Sequence, residues 1–211
     1  MKTLTQTLYQ VPTLVEVEPE AAIRRIRSGL VRWVWVEGDD GVGKSTLCHI
    51  LQHSIRSSVV LKEGAYAFLH TNDTPEEDWY RVLQLERIGV WAEAQSQLAV
   101  GVSVIQDRSP ISKWAYQEAP LYEEDQLLRL CHHHPNVCVV LYTNAENPQS
   151  LRYRQAVKYG GFWFPHSGVL LPIIGYECNP SDPNSLVRIA NGLLRLLGVS
   201  YEPPKTGNTD S

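Results

Sequence analysis

Short apolar runs recur along the chain and predict buried β-strands, because valine, isoleucine, leucine and tryptophan fit the interior of a sheet. Five such runs stand out in the 211 residues. They are VRWVWV (31–36), SVVLK (58–62), VSVIQD (102–107), VCVVLY (137–142) and VLLPII (169–174).

Between these runs the apolar residues adopt the spacing of amphipathic helices. The segment KSTLCHILQHSI (44–55) predicts one helix directly after the first strand. The longest pattern starts at Thr74, an N-cap candidate followed by Pro75, and runs towards Ala99, with Gly89 as a candidate break. The remaining predicted helices cover residues 20–27, 111–118, 122–133, 148–158 and 184–197.

Strands that alternate with helices predict a three-layer α/β fold. We expect about five parallel strands with helices on both faces, because right-handed crossovers place the helices there. A chain of 211 residues with 43% hydrophobic residues buries about 70% of its unfolded surface in one core. We therefore expect one domain over residues 1–200, including an N-terminal arm over residues 1–18, and a flexible tail over residues 201–211.

Composition limits the choice of partners and compartment. The formal net charge of -4 argues against a general nucleic-acid coat, which needs a basic excess. The four cysteines form no CxxC pair, which favours a reducing compartment over a disulfide scaffold. No apolar run approaches the ~18 residues of a membrane span. We expect a cytoplasmic protein without a membrane partner.

The segment GDDGVGKST (38–46) carries the strongest chemical signal. Gly38, Gly43, Lys44 and Ser45 match the phosphate-binding pattern G-x-x-x-x-G-K-S/T between a predicted strand and a helix. Such a loop presents backbone N–H groups to a triphosphate, a lysine to its β/γ-phosphates and a hydroxyl to Mg²⁺. A chance glycine turn is the competing interpretation. We expect ATP and Mg²⁺ to bind at Gly38, Asp39, Asp40, Gly41, Val42, Gly43, Lys44, Ser45 and Thr46.

A second polar segment, QDRSP, follows the strand over 102–107. Enzymes with a phosphate-binding loop place the carboxylate that orients Mg²⁺ at such a strand end, so Asp107 joins Ser45 as a predicted metal ligand. Arg108 beside it is predicted to bind an acceptor phosphate or the transferred phosphoryl group. The alternative is a surface Asp–Arg pair.

Together these segments resemble the thymidylate kinase family. EGDDGVGKST resembles its E-G-x-D-x-x-G-K-S-T, and DRSPISKWAYQ resembles its D-R-x-x-x-S-x-x-A-Y-Q. In the same order follow ENPQSLRYR, similar to the start of that family's lid, and GYECNPSDPNSLVRIANGL, similar to its adenine-packing segment. The resemblance covers about residues 31–197 and implies a nucleotide kinase, with a homodimer as a further implication.

Carried over position by position, the resemblance implies roles for individual residues. Asp40 contacts the acceptor deoxyribose, and Arg87, Ser112 and Gln117 surround a thymine-type base. Lys44, Asp107 and Arg108 form the catalytic group together with Arg154. Arg154 is a lid residue, as are Arg152 and Lys158, although a charged helix face explains these three equally well.

The sequence departs from this family on the acceptor side. After the second strand it reads LKEGAYAF, with Lys62 where the family has the arginine that grips the acceptor phosphate. Lysine supplies charge but no bidentate fork. The lid region reads KYGGFWFPHSG, in which Phe162, Trp163 and Phe164 predict either a core cluster or a platform that stacks on an exposed base.

Three functions fit these departures. The favoured one is phosphorylation of the hydroxymethyl group of 5-hydroxymethyluracil in viral DNA, which a thymidylate-kinase-like branch performs in the host cytoplasm. A nucleotide inside a strand carries no terminal phosphate dianion, so the missing arginine is not needed. In the parent family's orientation, however, the 5-substituent would lie away from the γ-phosphate, so the base must bind in a changed orientation, flipped out of the duplex. The alternatives are conversion of dTMP to dTDP with Lys62 as the phosphate ligand, and nucleotide binding without transfer.

Two further features carry weaker signals. CHHHP (131–135) suggests a metal site, but adjacent histidines point in different directions, so we expect them to end a helix before Pro135. For a hydroxyl acceptor, Asp40 or Glu37 is the candidate proton acceptor, and Glu37 is otherwise a carboxylate that stabilises the loop.

Overall fold

The fold is described from a computed structural model that covers residues 11–18, 20–21, 23–24, 32–62, 76–117, 121–179, 182 and 184–199. Within these ranges the side chains of residues 76–81, 83–84 and 117 are not described. In chain order the elements are β1 (Thr13–Glu16), β2 (Trp33–Gly38), α1 (Lys44–Ser54), β3 (Ser58–Lys62), α2 (Glu76–Ala99), β4 (Ser103–Asp107), α3 (Ile111–Gln117), α4 (Tyr122–Leu130), β5 (Val137–Tyr142), α5 (Pro148–Tyr159), β6 (Gly160–Phe164), β7 (Val169–Glu177) and α6 (Ser185–Leu196).

Seven strands form one mixed, mostly parallel sheet in the order β1-β6-β7-β5-β2-β4-β3. β2 lies between β5 and β4 and runs parallel to both, while β7 and β3 extend the parallel set on either side. Each of these five parallel strands overlaps one of the five predicted apolar runs. The predicted α/β fold is therefore confirmed, and all five carboxyl ends meet at one edge of the sheet.

Two antiparallel strands extend the sheet beyond the prediction. Residues 13–16, assigned from the sequence to an arm, form β1, which pairs with β6. Residues 160–164, assigned to a lid, form β6, which pairs with β7. Gly160 ends α5 in the left-handed region, with φ of 78°, which lets the chain turn directly from the helix into the strand. Phe162 and Phe164 are buried, so they belong to the core and not to a stacking platform.

Helices cover both faces of the sheet, and the alternation along β2 shows how. Trp33 and Trp35 point to the side packed by α2, α3, α4 and α5. Val34 and Val36 point to the side packed by α1 and α6. All four side chains are fully buried, as expected for a central parallel strand with both faces covered. The sheet with its two helix layers forms the predicted three layers.

Most predicted helices match within a few residues, and the exceptions have local reasons. α2 continues through Gly89 without a break. α4 ends at Leu130, earlier than predicted, because the N–H groups of His132 and His133 donate to Gln95 Oε1 on α2 instead of continuing the helix. Thr74, Pro75 and the tail over 201–211 lie outside the described residues, as does most of the helix predicted over 20–27. Among the described helices, none is long and apolar enough to cross a membrane.

The inward face of α2 provides a test of this packing. The ring centroid of Trp91 lies 5.7 Å from that of Trp33 and 5.8 Å from that of Trp35. Trp91→Ala is expected to lower the free energy of unfolding by about 3–5 kcal/mol, because it leaves a cavity against β2. Leu85→Ala on the same helix removes a side chain that is 70% exposed and should change stability by no more than about 0.5 kcal/mol. Urea denaturation measures both, and equal losses would contradict the assigned orientation of α2.

Candidate active site

The phosphate-binding loop connects β2 to α1 at the carboxyl edge of the sheet. Gly38 has φ of 137°, and a Cβ placed there would lie 1.8 Å from the carbonyl oxygen of Leu141 on β5. Only glycine allows this close approach of two backbones. Gly43 is the N-cap of α1 with φ of 91°, so the first N–H groups of the helix, which have no partner inside it, lie in the loop. This is the geometry on which phosphate binding at a helix N-terminus depends.

Lys44, the first residue of α1, is almost completely buried in the loop. Its Nζ donates to the carbonyl oxygens of Gly38 at 2.9 Å and Asp39 at 2.5 Å. Burial lowers the pKa of Lys44, and the nearby charge of Arg108 lowers it further, while the carboxylates of Glu37, Asp40 and Asp107 oppose this change. The ammonium group is thus fixed inside the loop.

Ser45 and Asp107 meet across the ends of β4 and α1. The Ser45 hydroxyl donates to Asp107 Oδ2 at 2.5 Å, and Asp107 is only 3% exposed. A hydroxyl and a carboxylate at this separation are the oxygen ligands that Mg²⁺ takes in phosphotransferases, so the residues fit the predicted metal. Lys62 at the end of β3 places its Nζ 4.0 Å from the same carboxylate oxygen.

Arg108 follows β4 and pairs with the loop. Its φ of 75° is in the left-handed region, which is uncommon for a residue with a side chain. Its Nη2 donates to Asp40 Oδ1 at 2.9 Å. Burial alone would lower the pKa of Arg108, but the hydrogen bond to Asp40 and the charge of Glu37 raise it overall. Burial likewise opposes ionisation of Asp40, yet Arg108 and Lys44 lower the Asp40 pKa, so the pair stays charged.

Glu37 lies at the end of β2 and is fully buried. Its Oε1 accepts from the backbone N–H groups of Ser109 and Ser112, and its Oε2 accepts from the Ser112 hydroxyl at 2.7 Å and the Tyr153 hydroxyl at 3.1 Å. With both oxygens occupied, Glu37 fits the role of stabilising carboxylate better than that of proton acceptor. Ser112, predicted to contact a base, reaches the site as a donor to Glu37.

Tyr116 is an additional residue of this site that the sequence prediction did not include. Its hydroxyl is buried and lies beside Asp40 and Arg108, with which it interacts. Burial raises the pKa of Tyr116 to about 12, and the charge of Asp40 acts in the same direction. The phenol is therefore neutral at physiological pH.

Other predicted residues have partners outside the loop. Arg87 is buried on α2 and forms a 2.9 Å ion pair with Glu124 of α4. Arg154 on α5 donates from Nη1 to the carbonyl oxygens of Thr143 and Ala145, both at 2.8 Å.

The Val42 side chain is buried in the core beneath the loop. The side chain of Gln117 lies outside the described residues. Their roles in binding or catalysis remain predictions.

Asp39, predicted as part of the nucleotide-binding loop, is only 5% exposed, and its carboxylate bonds to the segment after β5. Oδ2 accepts from the N–H and hydroxyl of Thr143 at 2.8 and 2.9 Å, and Oδ1 accepts from the Ser150 hydroxyl at 2.6 Å. Thr143 and Ser150 were missed. Their position after a predicted strand could have indicated them, because polar residues that follow a parallel strand lie at the edge of the sheet where the loops meet.

A pair of tyrosines tests the hydrogen bonding around Glu37. Tyr153→Phe removes a donor to a buried carboxylate and is expected to lower the free energy of unfolding by about 1–3 kcal/mol. Tyr116→Phe is the comparison, because its ring packs 6.3 Å from that of Tyr153 but its hydroxyl lies beside Asp40, whose side chain is 65% exposed, so that water can replace the phenol. It should change stability by less than about 0.5 kcal/mol in the same denaturation experiment. A larger loss for Tyr116→Phe would contradict the assigned bonds.

Several solved structures share this fold at low sequence identity. A thymidylate kinase from Ehrlichia chaffeensis has a TM-score of 0.58 and 17% identity, with 81% of this chain and 100% of that chain covered. A thymidylate kinase from Candida albicans has a TM-score of 0.50 and 16% identity, with coverages of 80% and 91%. A NadR protein in complex with NR has a TM-score of 0.55 and 15% identity, with coverages of 84% and 53%.

Neither a protein-family model nor a curated protein matches the sequence. At these identities the structural likeness concerns the fold alone. The chain has an α/β fold similar to that of P-loop kinases, thymidylate kinases among them.

Proposed function

We propose that the protein is a phosphotransferase that moves the γ-phosphoryl group of ATP to a thymine-type acceptor. The observation that carries this proposal is the convergence of Lys44, Ser45 and Asp107 with the Arg108–Asp40 pair at one edge of the sheet. Phosphoryl transfer needs positioned charges more than covalent chemistry, and this edge supplies them.

On the donor side, the loop from Gly38 to Thr46 receives the triphosphate, with Lys44 directed to its β/γ-phosphates. Ser45 and Asp107 hold Mg²⁺, which neutralises charge on the transferring group when bound. Arg108, held by Asp40 at 2.9 Å, stabilises charge on the transferring phosphoryl group. Arg154 contributes from α5, where its Nη1 orders the loop that follows β5.

On the acceptor side, Asp40 receives the deoxyribose, and Arg87, Ser112 and Gln117 surround the base. Ser112 supports this placement by its position, since its hydroxyl donates to Glu37 at the strand end where the phosphate loop begins. For Arg87, whose Nη1 pairs with the buried Glu124, the support is the resemblance in sequence alone.

The more specific proposal is that the acceptor is the hydroxymethyl group of 5-hydroxymethyl-deoxyuridine in DNA. The support is Lys62 at the position of the family's phosphate-gripping arginine, with no arginine in LKEGAYAF. The hydroxymethyl oxygen attacks the γ-phosphorus, the bond from that phosphorus to the β,γ-bridging oxygen breaks, and ADP leaves. For this acceptor the base binds in a changed orientation, with its 5-substituent and not its deoxyribose beside Asp40. Asp40, whose side chain is 65% exposed, is then the available carboxylate for the hydroxyl proton.

A second candidate is conversion of dTMP to dTDP. The observation that favours it is the position of Lys62, whose exposed Nζ lies 4.0 Å from Asp107 at the same edge. From there the ammonium group supplies charge to a monophosphate. The lysine takes the place of the arginine without its bidentate geometry.

Lys44→Ala is the first test of the proposal. It should reduce phosphoryl transfer to background while leaving the fold intact, because it removes the cation that contacts the β/γ-phosphates. Arg56→Ala removes an exposed cation near the far end of α1 and should retain wild-type turnover. Turnover with ATP labelled at the γ-phosphate and circular dichroism provide the measurements. Near-normal transfer by Lys44→Ala would contradict the site.

Acceptor identity is tested with the same label and three substrates: dTMP, duplex DNA containing 5-hydroxymethyluracil, and the same duplex with thymine. We expect label in the hydroxymethylated duplex only, because the thymine duplex lacks the accepting oxygen. Lys62→Ala should then leave the rate on DNA within about twofold, since no terminal phosphate has to be gripped.

Label in dTDP but never in DNA would reject the DNA acceptor and support the second candidate. In that case Lys62→Ala should raise the KM for dTMP at least about tenfold, which is the loss expected for one charged contact. Binding of ATP without transfer to either acceptor would reject both kinases and leave a nucleotide-binding protein.

A further inference from the structure

Asp39 lies inside the phosphate loop, yet its side chain is directed to another part of the molecule. Its two carboxylate oxygens accept three hydrogen bonds from Thr143 and Ser150, at distances of 2.6 to 2.9 Å. Ser150 belongs to the first turn of α5 and is itself fully buried. The carboxylate is therefore committed to the β5–α5 segment, with 5% of the residue exposed.

The backbone of Asp39, in contrast, takes part in the loop. Its carbonyl oxygen accepts from Lys44 Nζ at 2.5 Å, and its N–H donates to the carbonyl of Leu141 on β5 at 3.0 Å. The next residue, Asp40, holds Arg108 at 2.9 Å. A displacement of Asp39 thus moves a hydrogen-bond partner of Lys44 and the attachment point of Arg108 together.

Thr143 is the residue where the β5–α5 segment meets the loop. Its N–H and hydroxyl donate to Asp39, while its carbonyl oxygen accepts from Arg154 Nη1 at 2.8 Å. Arg154 also donates to the carbonyl of Ala145, so the turn is fixed on both sides. Asp39 and Arg154 thus both form hydrogen bonds with the segment between β5 and α5.

We propose that Asp39 is a positioning residue for the nucleotide donor: its carboxylate fixes the first half of the phosphate loop to α5 through Thr143 and Ser150, and does not contact the phosphates. This inference rests on the proposed phosphotransferase function. It gives a specific role to Asp39, which the sequence predicts as part of the nucleotide-binding loop, and it joins Thr143, Ser150 and Arg154 to the donor site.

The chain offers a matched control for this proposal. Asp125 on α4 is also buried and also accepts three hydrogen bonds, from the N–H of His166 and from the N–H and hydroxyl of Ser167, at 2.7 to 2.9 Å. These partners lie in the turn between β6 and β7, at the edge opposite the phosphate loop. Asp39→Asn and Asp125→Asn therefore each disturb three hydrogen bonds to a buried carboxylate. Only the bonds of Asp39 lie next to the proposed ATP site.

The experiment measures the ATP Kd, kcat, both KM values and thermal stability for these two variants. We expect both to lose similar stability, whereas Asp39→Asn alone weakens ATP binding by about 10- to 100-fold, the range seen when a partner that orients a ligand group is lost. The acceptor KM should not change. Equal ATP affinity in Asp39→Asn and wild type, or an equal loss in Asp125→Asn, would overturn the proposal.

Milder variants decide the case if Asp39→Asn does not fold. Ser150→Ala and Thr143→Val each remove one hydroxyl donor, and Ser167→Ala is their control at Asp125. Ser150→Ala should raise the ATP Kd while Ser167→Ala leaves it unchanged, and the reverse would refute the proposal. Wild-type protein that binds no ATP would overturn the proposed function and this inference with it, whereas tight wild-type binding with insensitive variants would overturn the inference alone.

Discussion

Two buried carboxylates on either side of Gly38 organise the site. Glu37 accepts from the start of α3 and from Tyr153 of α5, while Asp39 accepts from the β5–α5 segment and from Ser150 of the same helix. Ser150 and Tyr153 are three residues apart and lie on one face of α5. A buried charge is stable only when it is fully hydrogen-bonded, so each carboxylate requires its partners in place.

This arrangement makes the phosphate loop depend on a helix that is distant in sequence. Gly38 allows β2 to approach β5 closely, and the carboxylates on either side then bond to α3, to α5 and to the turn between β5 and α5. Within the loop, Lys44 braces the backbone by donating to two carbonyl oxygens. The precision of the loop therefore comes largely from its neighbours, which suits a site where misplacement by about 1 Å is costly for catalysis.

The parallel part of the fold was predictable because it depends on local signals. Apolar runs such as VRWVWV mark strands that must be buried on both faces, and the glycine spacing marks the loop. β1 was not predictable, because TLVE is short, half-exposed and stabilised by pairing with the distant β6. β6 was misassigned to a lid because the Gly-Gly pair in KYGGFWFPHSG is typical of a hinge in a loop when the role of Gly160 as helix cap is unknown.

The same limit applied to the site. Lys44, Ser45, Asp107 and Arg108 lie at one edge of the sheet, since each lies at a strand end or helix start that the motif fixes. The partners of Arg87 and Arg154 are Glu124 and backbone carbonyls, which only the packed structure can assign. The motifs therefore identified the polar and charged residues of the site, but only the tertiary structure shows which of them, such as Arg87 and Arg154, bond to other parts of the protein.

The backbone at Arg108 shows a conflict between stability and chemistry. A left-handed conformation costs a residue with a side chain about 1–2 kcal/mol, a penalty that glycine avoids. With φ of 75°, the backbone here would be less strained with glycine, but glycine carries no guanidinium for Asp40 or for a phosphate. Engineering that selects for thermal stability alone would therefore drift towards removing this side chain, so position 108 has to be held fixed in any stabilised variant intended to keep its chemistry.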